Sequence, residues 1–515
     1  MNGAVSMIQT LVNGGIDTCF TNPGTSEMHF VAAVDRVDGM RTILCLFEGV
    51  CTGAADGYAR MMGKPATTLL HLGPGLGNAY ANAHNARKGH TPMINIVGEH
   101  ATWHLEHNAP LTTDIEATAA PISDWVRTIR TAADVPADTA AAIVAAMQPP
   151  GQVATLILPG DCAWNESVAP SPALPMPIPA KFDAAAVDNA AQILQRGEPT
   201  ILFMEGIAMQ EEGARLASRI ANATGARIMG RTSNARIARG AGRAIVETQP
   251  YVVAQALDSL AGTKHIIHVG PSGPPVAFFG YPDKPSIMAP PDCEYHRLAH
   301  LNEDTLGALE ALADAVNAPP EPAAIYERVL PPLPTGSLDA AKVWATVAHN
   351  MPEQTILVNE AITSRFGSEK FMAGAPPYDE LTITGGSIGI GLPLSVGAAV
   401  ACPDRKVINM QADGSAMYTV QGLWTMARER LDVTTVLFNN SAYAILQHEL
   451  ENVGAEAIGP KAEAMLDLGD PEINWVKIAE GMGVPATRVR TAEEFNKQFP
   501  RDLNEKGPRL IEVMI

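Results

Sequence analysis

The chain has 515 residues, 46% of them hydrophobic and 18% charged, with 36 basic against 55 acidic side chains and a formal net charge of −19. One core stops growing at roughly 250 to 300 residues, so this length implies two or three domains, and the composition excludes wholesale disorder. The acidic balance repels nucleic acid and anionic membrane surfaces, so neither is expected as a partner, and an anionic ligand must be held by backbone amides, a helix start or a metal ion. The opening MNGAVSMIQTLVNGGIDTCF has no basic region, and no uncharged apolar run reaches the length of a membrane span, which disfavours secretion and insertion. The six cysteines, Cys19, Cys45, Cys51, Cys162, Cys293 and Cys402, are scattered without a Cys-x-x-Cys pair, as expected of reduced thiols in a cytoplasmic protein.

In the first segment, residues 1–168, apolar or β-branched runs at Arg41 to Phe47, Ala66 to Leu70, Met93 to Val97 and Val153 to Leu158 alternate with helical stretches such as Thr52 to Met62. A proline cluster from Ala169 to Pro179 follows, favouring an extended linker. The middle segment, residues 182–318, has strand-like runs at Thr200 to Met204, Ala226 to Ile228 and His265 to Val269, and a second proline cluster runs from Pro319 to Pro334. The third segment, residues 336–515, repeats the alternation with Thr355 to Val358, Lys406 to Met410, Thr434 to Phe438 and Arg509 to Met514. Strands alternating with helices predict three doubly wound α/β domains with mostly parallel sheets.

The most informative run is KVINMQADGSAMYTVQGLWTMARERLDVTTVLFNNSAYAIL in the third segment. One strand ends in Ala412-Asp413-Gly414-Ser415 and a second in Asn439-Asn440, so both turns fall at the carboxyl edge of the sheet, where α/β proteins bind ligands. Alone, Asp-Gly reads as a tight turn and Asn-Asn as a loop. Together they offer Asp413 and Asn440 as oxygen ligands suited to magnesium, with Gly414 and Ser415 presenting amides to a diphosphate at the helix start. In the first segment Glu48 follows an apolar run and opens a helix of small residues, placing a carboxylate in apolar surroundings. His71 stands directly before Gly73-Pro74-Gly75, positioned to act as an acid or base or to be satisfied within a turn. Ile388 sits in TGGSIGIGLPLSVGAAVA, where the glycines let the backbone approach a ligand, or where Ile388 simply joins the core.

This ordered set resembles the thiamine diphosphate-dependent enzymes of the acetolactate synthase and benzoylformate decarboxylase branch. The likeness runs over nearly the full chain, through Asn22-Pro23-Gly24-Thr25, Glu48, His71, His90-Thr91-Pro92, Glu360, Gly385-Gly386, Asp413 and Asn440. The family's Gly-Asp-Gly is departed from only at Ala412, which removes no ligand. The resemblance implies pyrimidine-binding, central and diphosphate-binding domains, with thiamine diphosphate and Mg2+ as cofactors. It implies Asp413, Asn440 and Ala442 as metal ligands, and Thr25, Glu360, Thr363, Gly386, Gly414, Ser415 and Tyr443 as the cofactor's lining. Ile388 would support the bent cofactor, Glu48 would bond its pyrimidine ring and His71 would serve as acid or base.

The activity implied is cleavage or formation of the bond beside the carbonyl of a 2-oxo acid, in a homodimer or homotetramer with sites at subunit interfaces. A flavin-dependent oxidase of the pyruvate oxidase type and a catalytically silent homologue are the alternatives. Benzoylformate decarboxylase has a second active-site histidine where this chain reads GPSGPPVAFFGYPD, and aromatic residues where it has His448 and Glu449. Those departures predict a smaller or more polar substrate. His84 and His90 lack carboxylate companions and are expected to be structural.

Overall fold

The computed structural model describes residues 1–271, 273–455 and 458–515. The first segment contributes β1 (Thr18–Asn22), β2 (Arg41–Leu44), β3 (Ala66–Leu70), β4 (Met93–Glu99), β5 (Trp125–Thr128) and β6 (Val153–Pro159). They form one parallel sheet in the order β2-β1-β3-β4-β6-β5. Every residue of β3, β4 and β6 is buried, because helices cover both faces and continuous apolar runs suit such strands.

The middle segment supplies β7 (Thr200–Met204), β8 (Arg227–Gly230), β9 (Ile237–Arg239), β10 (Glu247–Thr248), β11 (His265–Gly270) and β12 (Glu294–His300). All but β9 form a parallel sheet ordered β10-β8-β7-β11-β12. The third segment supplies β13 (Thr355–Glu360), β14 (Tyr378–Thr382), β15 (Val407–Ala412), β16 (Val433–Asn439), β17 (Ala486–Val489) and β18 (Arg509–Met514). These join in the order β17-β18-β16-β15-β13-β14-β9, with β9 crossing from the middle segment to pair antiparallel with β14. The expected parallel-sheet α/β domains are present.

The expected run from Arg41 to Phe47 stops being strand at Leu44, while the helix that includes Thr52 to Met62 opens at Glu48 as expected, so the chain turns sharply just before that carboxylate. Strand β14 carries Asp379 and Glu380, both buried, and a search for apolar runs passes over it. Arginines from distant elements neutralise the pair.

The first and third segments pack directly. Helix Glu48–Met62 lies against helix Gly391–Ala401 so closely that a Cβ on Gly57 would fall 2.1 Å from the Leu394 carbonyl oxygen, and one on Gly397 would fall 1.8 Å from that of Ala54. Only glycine fits at these two points, and a single apolar core runs through both segments, including Val50, Leu76, Leu392, Val396 and Leu437. Among the described residues no helix is long and apolar enough to cross a membrane.

Candidate functional site

The turns after β15 and β16 lie side by side, since Ala412 is paired with Phe438 in the parallel register. Asp413 is buried, and its Oδ1 accepts the Gly414 N–H at 2.8 Å while Oδ2 accepts the Ser441 N–H at 2.9 Å. Asn440 Oδ1 accepts the Ala442 N–H at 3.1 Å. Ser441 is held at φ 52, where its N–H and hydroxyl both donate to Asn439 Oδ1 at 3.0 Å. Burial pushes the Asp413 carboxyl up to about 6, opposed only by backbone N–H groups. No cationic side chain among the described residues bonds it, so a buried carboxylate stands ready for an added cation. The Tyr443 ring covers Gly414, where a Cβ would fall 2.5 Å from the ring edge. Ser415 Oγ donates to the Ala412 carbonyl at 3.1 Å and accepts from Gln411 Nε2 at 2.7 Å, which fixes the first turn of the helix.

Glu360, at the end of β13, is fully buried. Its Oε1 accepts the N–H groups of Gly389 at 2.7 Å and Ile390 at 3.2 Å, and its Oε2 accepts Gly391 N–H at 2.7 Å and Gln411 Nε2 at 2.9 Å. The carboxylate therefore shapes the loop that bears Ile388. From the first segment, Asn85 Oδ1 accepts the N–H groups of Gly385 at 3.0 Å and Ser387 at 3.3 Å, and its Nδ2 donates to the Ser387 carbonyl at 2.7 Å. Gly386 and Gly389, at φ 76 and 94, give the loop a path closed to other residues. Ile388 is half-buried rather than sunk in the core, and Thr363 is half-buried in the short turn after β13.

Glu48 opens its helix at the carboxyl end of β2 and is buried, with Asn78 Nδ2 donating to its Oε2 at 3.0 Å. Gly75 faces the other oxygen, and a Cβ there would fall 3.1 Å from Oε1. His71 caps the next helix, Leu72–Lys88, with Nδ1 bonded to Glu27 Oε2 at 2.9 Å. Glu27 also accepts the Gly24 N–H at 2.7 Å. Gly24 lies so close to the imidazole that a Cβ would fall 2.2 Å from the ring, so the Asn-Pro-Gly-Thr landmark is the seat of His71. Thr25 is exposed at the start of the short turn between Gly24 and Glu27. Burial pushes the Glu27 carboxyl above its ordinary range, opposed by the Gly24 N–H and His71.

Sequence reasoning missed Glu27. Its only sequence signal is its place three residues after the glycine, in the capping pattern of Gly24 to Glu27. Asn78, Asn85 and Gln411 were also missed, because polar residues inside helices and strands ordinarily read as surface. The middle segment adds aromatic rings beside the loop of Gly386. Phe278 lies over Gly386, where a Cβ would fall 3.2 Å from its ring, and Tyr251 packs on Phe278 and Phe366 at centroid distances of 5.2 and 5.9 Å. The Tyr251 hydroxyl donates to Glu449 Oε1 at 2.9 Å. His84 Nε2 bonds the Gly385 carbonyl at 3.1 Å, and His90 occupies a turn at φ 51.

A cavity of about 430 Å³ opens elsewhere, where Arg60, His90, Glu205 and Asn234 from the first and middle segments meet, and none of the candidate residues lines it. A second cavity, of about 570 Å³, lies beside the turn after β16, where Ala442, Gln447, Glu451 and Asp467 line it. No hydrogen bond or ion pair among the described residues joins Glu48 to Asp413 or Asn440.

The thiamine pyrophosphate enzyme N-terminal TPP binding domain matches residues 1–118, and the C-terminal TPP binding domain matches residues 368–513. A Mycobacterium tuberculosis protein with the provisional name acetolactate synthase large subunit IlvX is 50% identical over 518 residues, covering 100% of this chain and 99% of its own. Benzoylformate decarboxylase of Pseudomonas aeruginosa is 28% identical, covering 97% and 96%. The solved structure of 4-hydroxybenzoylformate decarboxylase from Rhodococcus jostii RHA1 superposes with a TM-score of 0.85 at 25% identity, covering 100% and 99%. Two matched domains and full-length likeness together establish that the chain belongs to the thiamine pyrophosphate enzyme family, in the branch of the acetolactate synthases and benzoylformate decarboxylases.

Proposed function

We propose that the protein is a thiamine diphosphate- and Mg2+-dependent 2-oxo acid decarboxylase or carboligase of the acetolactate synthase type. The observation that carries this reading is the buried Asp413 carboxylate, without a cationic partner among the described residues, at a strand end beside Asn440. That donor set fits a hard cation of the magnesium class. Asp413, Asn440 and the Ala442 carbonyl would hold the metal, whose charge would offset that of a bound diphosphate. Gly414, Ser415 and Tyr443 border that end of the cofactor, while Thr25, Thr363, Gly386 and Ile388 border the rest. Glu360 acts at one remove, by fixing the loop of Ile388.

The chemistry that thiamine diphosphate supplies when bound is a carbon nucleophile and an electron sink. Glu48 moves a proton at a ring nitrogen of the cofactor through Oε1, while Asn78 holds Oε2. With its Nδ1–H donating a hydrogen bond to Glu27 Oε2, His71 keeps Nε2 as the atom that exchanges a proton with substrate. Tyr251, Phe278, Phe366 and Glu449 border the substrate side, and the Tyr251–Glu449 pair favours a small 2-oxo acid with a polar group over an aromatic one. No observation favours the flavin-dependent alternative.

Purified protein with thiamine diphosphate and Mg2+ should release carbon dioxide or form ligation products from at least one member of a 2-oxo acid panel. Silence across the panel, with calorimetry showing that the cofactor binds, would identify a catalytically silent homologue. Asp413→Ala should weaken metal-dependent cofactor binding by at least tenfold, and unchanged affinity in that variant would remove Asp413 from the metal site.

A further inference from the structure

We infer that His265, His296 and Glu294 form a binding site for a divalent transition metal ion of the zinc class, on the middle segment and independent of the cofactor site. Strands β11 and β12 are parallel neighbours at one edge of the middle sheet, with His265 paired to Glu294 and Ile267 to His296. Paired residues share a face of a sheet, and residues two apart on a strand share it too. The register therefore places two imidazoles and a carboxylate together.

Their ligand atoms converge. His265 Nδ1 is 3.2 Å from His296 Nε2 and 3.6 Å from Glu294 Oε2, and His296 Nε2 is 3.7 Å from Glu294 Oε2. Zinc bonds nitrogen and carboxylate oxygen at about 2.0 to 2.2 Å, which sets the edges of its tetrahedron at about 3.3 to 3.6 Å. A triangle of these dimensions accepts the ion with no rearrangement beyond a few tenths of an ångström and leaves the fourth position to solvent.

The outer atoms agree with this assignment. His265 Nε2 lies 3.0 Å from Glu198 Oε2, so with Nε2–H donating to the carboxylate the Nδ1 lone pair is left facing inward, the arrangement that orients metal-bound imidazoles. His265 is buried and His296 nearly so, while Glu294 is exposed and gives the ion its entry. Bound there, the ion would pin the edge strand β12 to β11.

The test is titration of the full chain with Zn2+ against a chromophoric chelator, and with Co2+ to read the visible bands of a tetrahedral site. Wild type should bind one equivalent that Glu294→Gln and His296→Gln lose, and Glu198→Gln should weaken binding roughly 10- to 100-fold. Glu294→Gln alters an exposed side chain, so retained circular dichroism and melting temperature separate lost ligation from lost fold. His100, His104 and His107 form another imidazole group, with successive ring centroids 5.4 and 5.5 Å apart, and His104→Gln should leave the bound equivalent in place. The assignment is overturned if wild type binds no stoichiometric Zn2+, or if Glu294→Gln and His296→Gln keep the ion, whether it then sits at His104 or at Asp413. Either result would leave His265 and His296 as a hydrogen-bonded pair.

Discussion

Glu48 and His71 stand in adjacent helix starts, and each is oriented by one neighbour, Asn78 for the carboxylate and Glu27 for the imidazole. Replacing Glu48 with Gln preserves a partner for Asn78, so the fold and most of the cofactor affinity should persist. Proton exchange at the thiazolium carbon, followed by NMR, should slow by about 10²- to 10⁴-fold, the usual contribution of a general acid or base. An exchange rate equal to wild type would remove Glu48 from the mechanism. Gly24 touches the other group. In Gly24→Ala the new methyl must displace the imidazole, and a displacement of about 1 Å costs on the order of 10²-fold in turnover. Calorimetry should show cofactor affinity within a few-fold of wild type in this variant. If turnover stays there too, His71 is structural.

At the scale of elements, the seam between β9 and β14 ties the middle segment to the third sheet through buried charge. Arg239 Nε lies 2.6 Å from Glu380 Oε2, with Asn359 Nδ2 donating to Oε1 at 2.8 Å, and Asp379 pairs with Arg405 at 2.7 Å and Arg236 at 3.1 Å. Burial by itself would raise both carboxyls, but Arg239 beside Glu380, and Arg236 and Arg405 beside Asp379, outweigh it and hold both below the ordinary range. A depressed folded value stabilises the protein above the unfolded value of about 4, and that stability is lost as pH falls through the lower folded values. Glu380→Gln leaves Arg239 buried without its counter-charge, so denaturant unfolding at pH 7 should show a loss of about 3 to 5 kcal/mol. The variant should also lose less stability than wild type between neutral pH and the acid range. A wild-type midpoint at pH 7 would show that the seam adds nothing.

For the whole molecule, one surface feature bears on assembly. Tyr80 lies on the helix that also carries Asn78, and Met417 and Tyr418 follow Asp413, and all three large side chains are exposed. Exposed large side chains thus stand near both Glu48 and Asp413, and we expect a second copy of the chain to dock one sheet edge against the other. In such a dimer each site would take Glu48 from one subunit and Asp413 from its partner. Glu48→Gln and Asp413→Ala should each be inactive, while the tagged and purified heterodimer, with one doubly altered site and one intact site, should recover about half of wild-type activity. A mixed dimer as inactive as its folded, dimeric parents would exclude the shared site.

What the sequence by itself determined is local. The positions of Asp413 and Asn440 directly after strand ends, and of Glu48 at a helix start, were legible because these points follow from short apolar runs with turn signals. The tertiary structure decided whatever depends on residues far apart in the chain. Glu27 behind His71, Asn85 beneath the loop of Ile388, Phe278 over Gly386 and the arginines that make β14 possible have no mutual signal in the sequence. The same holds for His265 and His296, which meet only because β12 pairs with β11 in one register. Hydrophobic periodicity records which face of an element is buried, but the partner across that face is settled by packing, where side chains hundreds of residues apart compete for the same space.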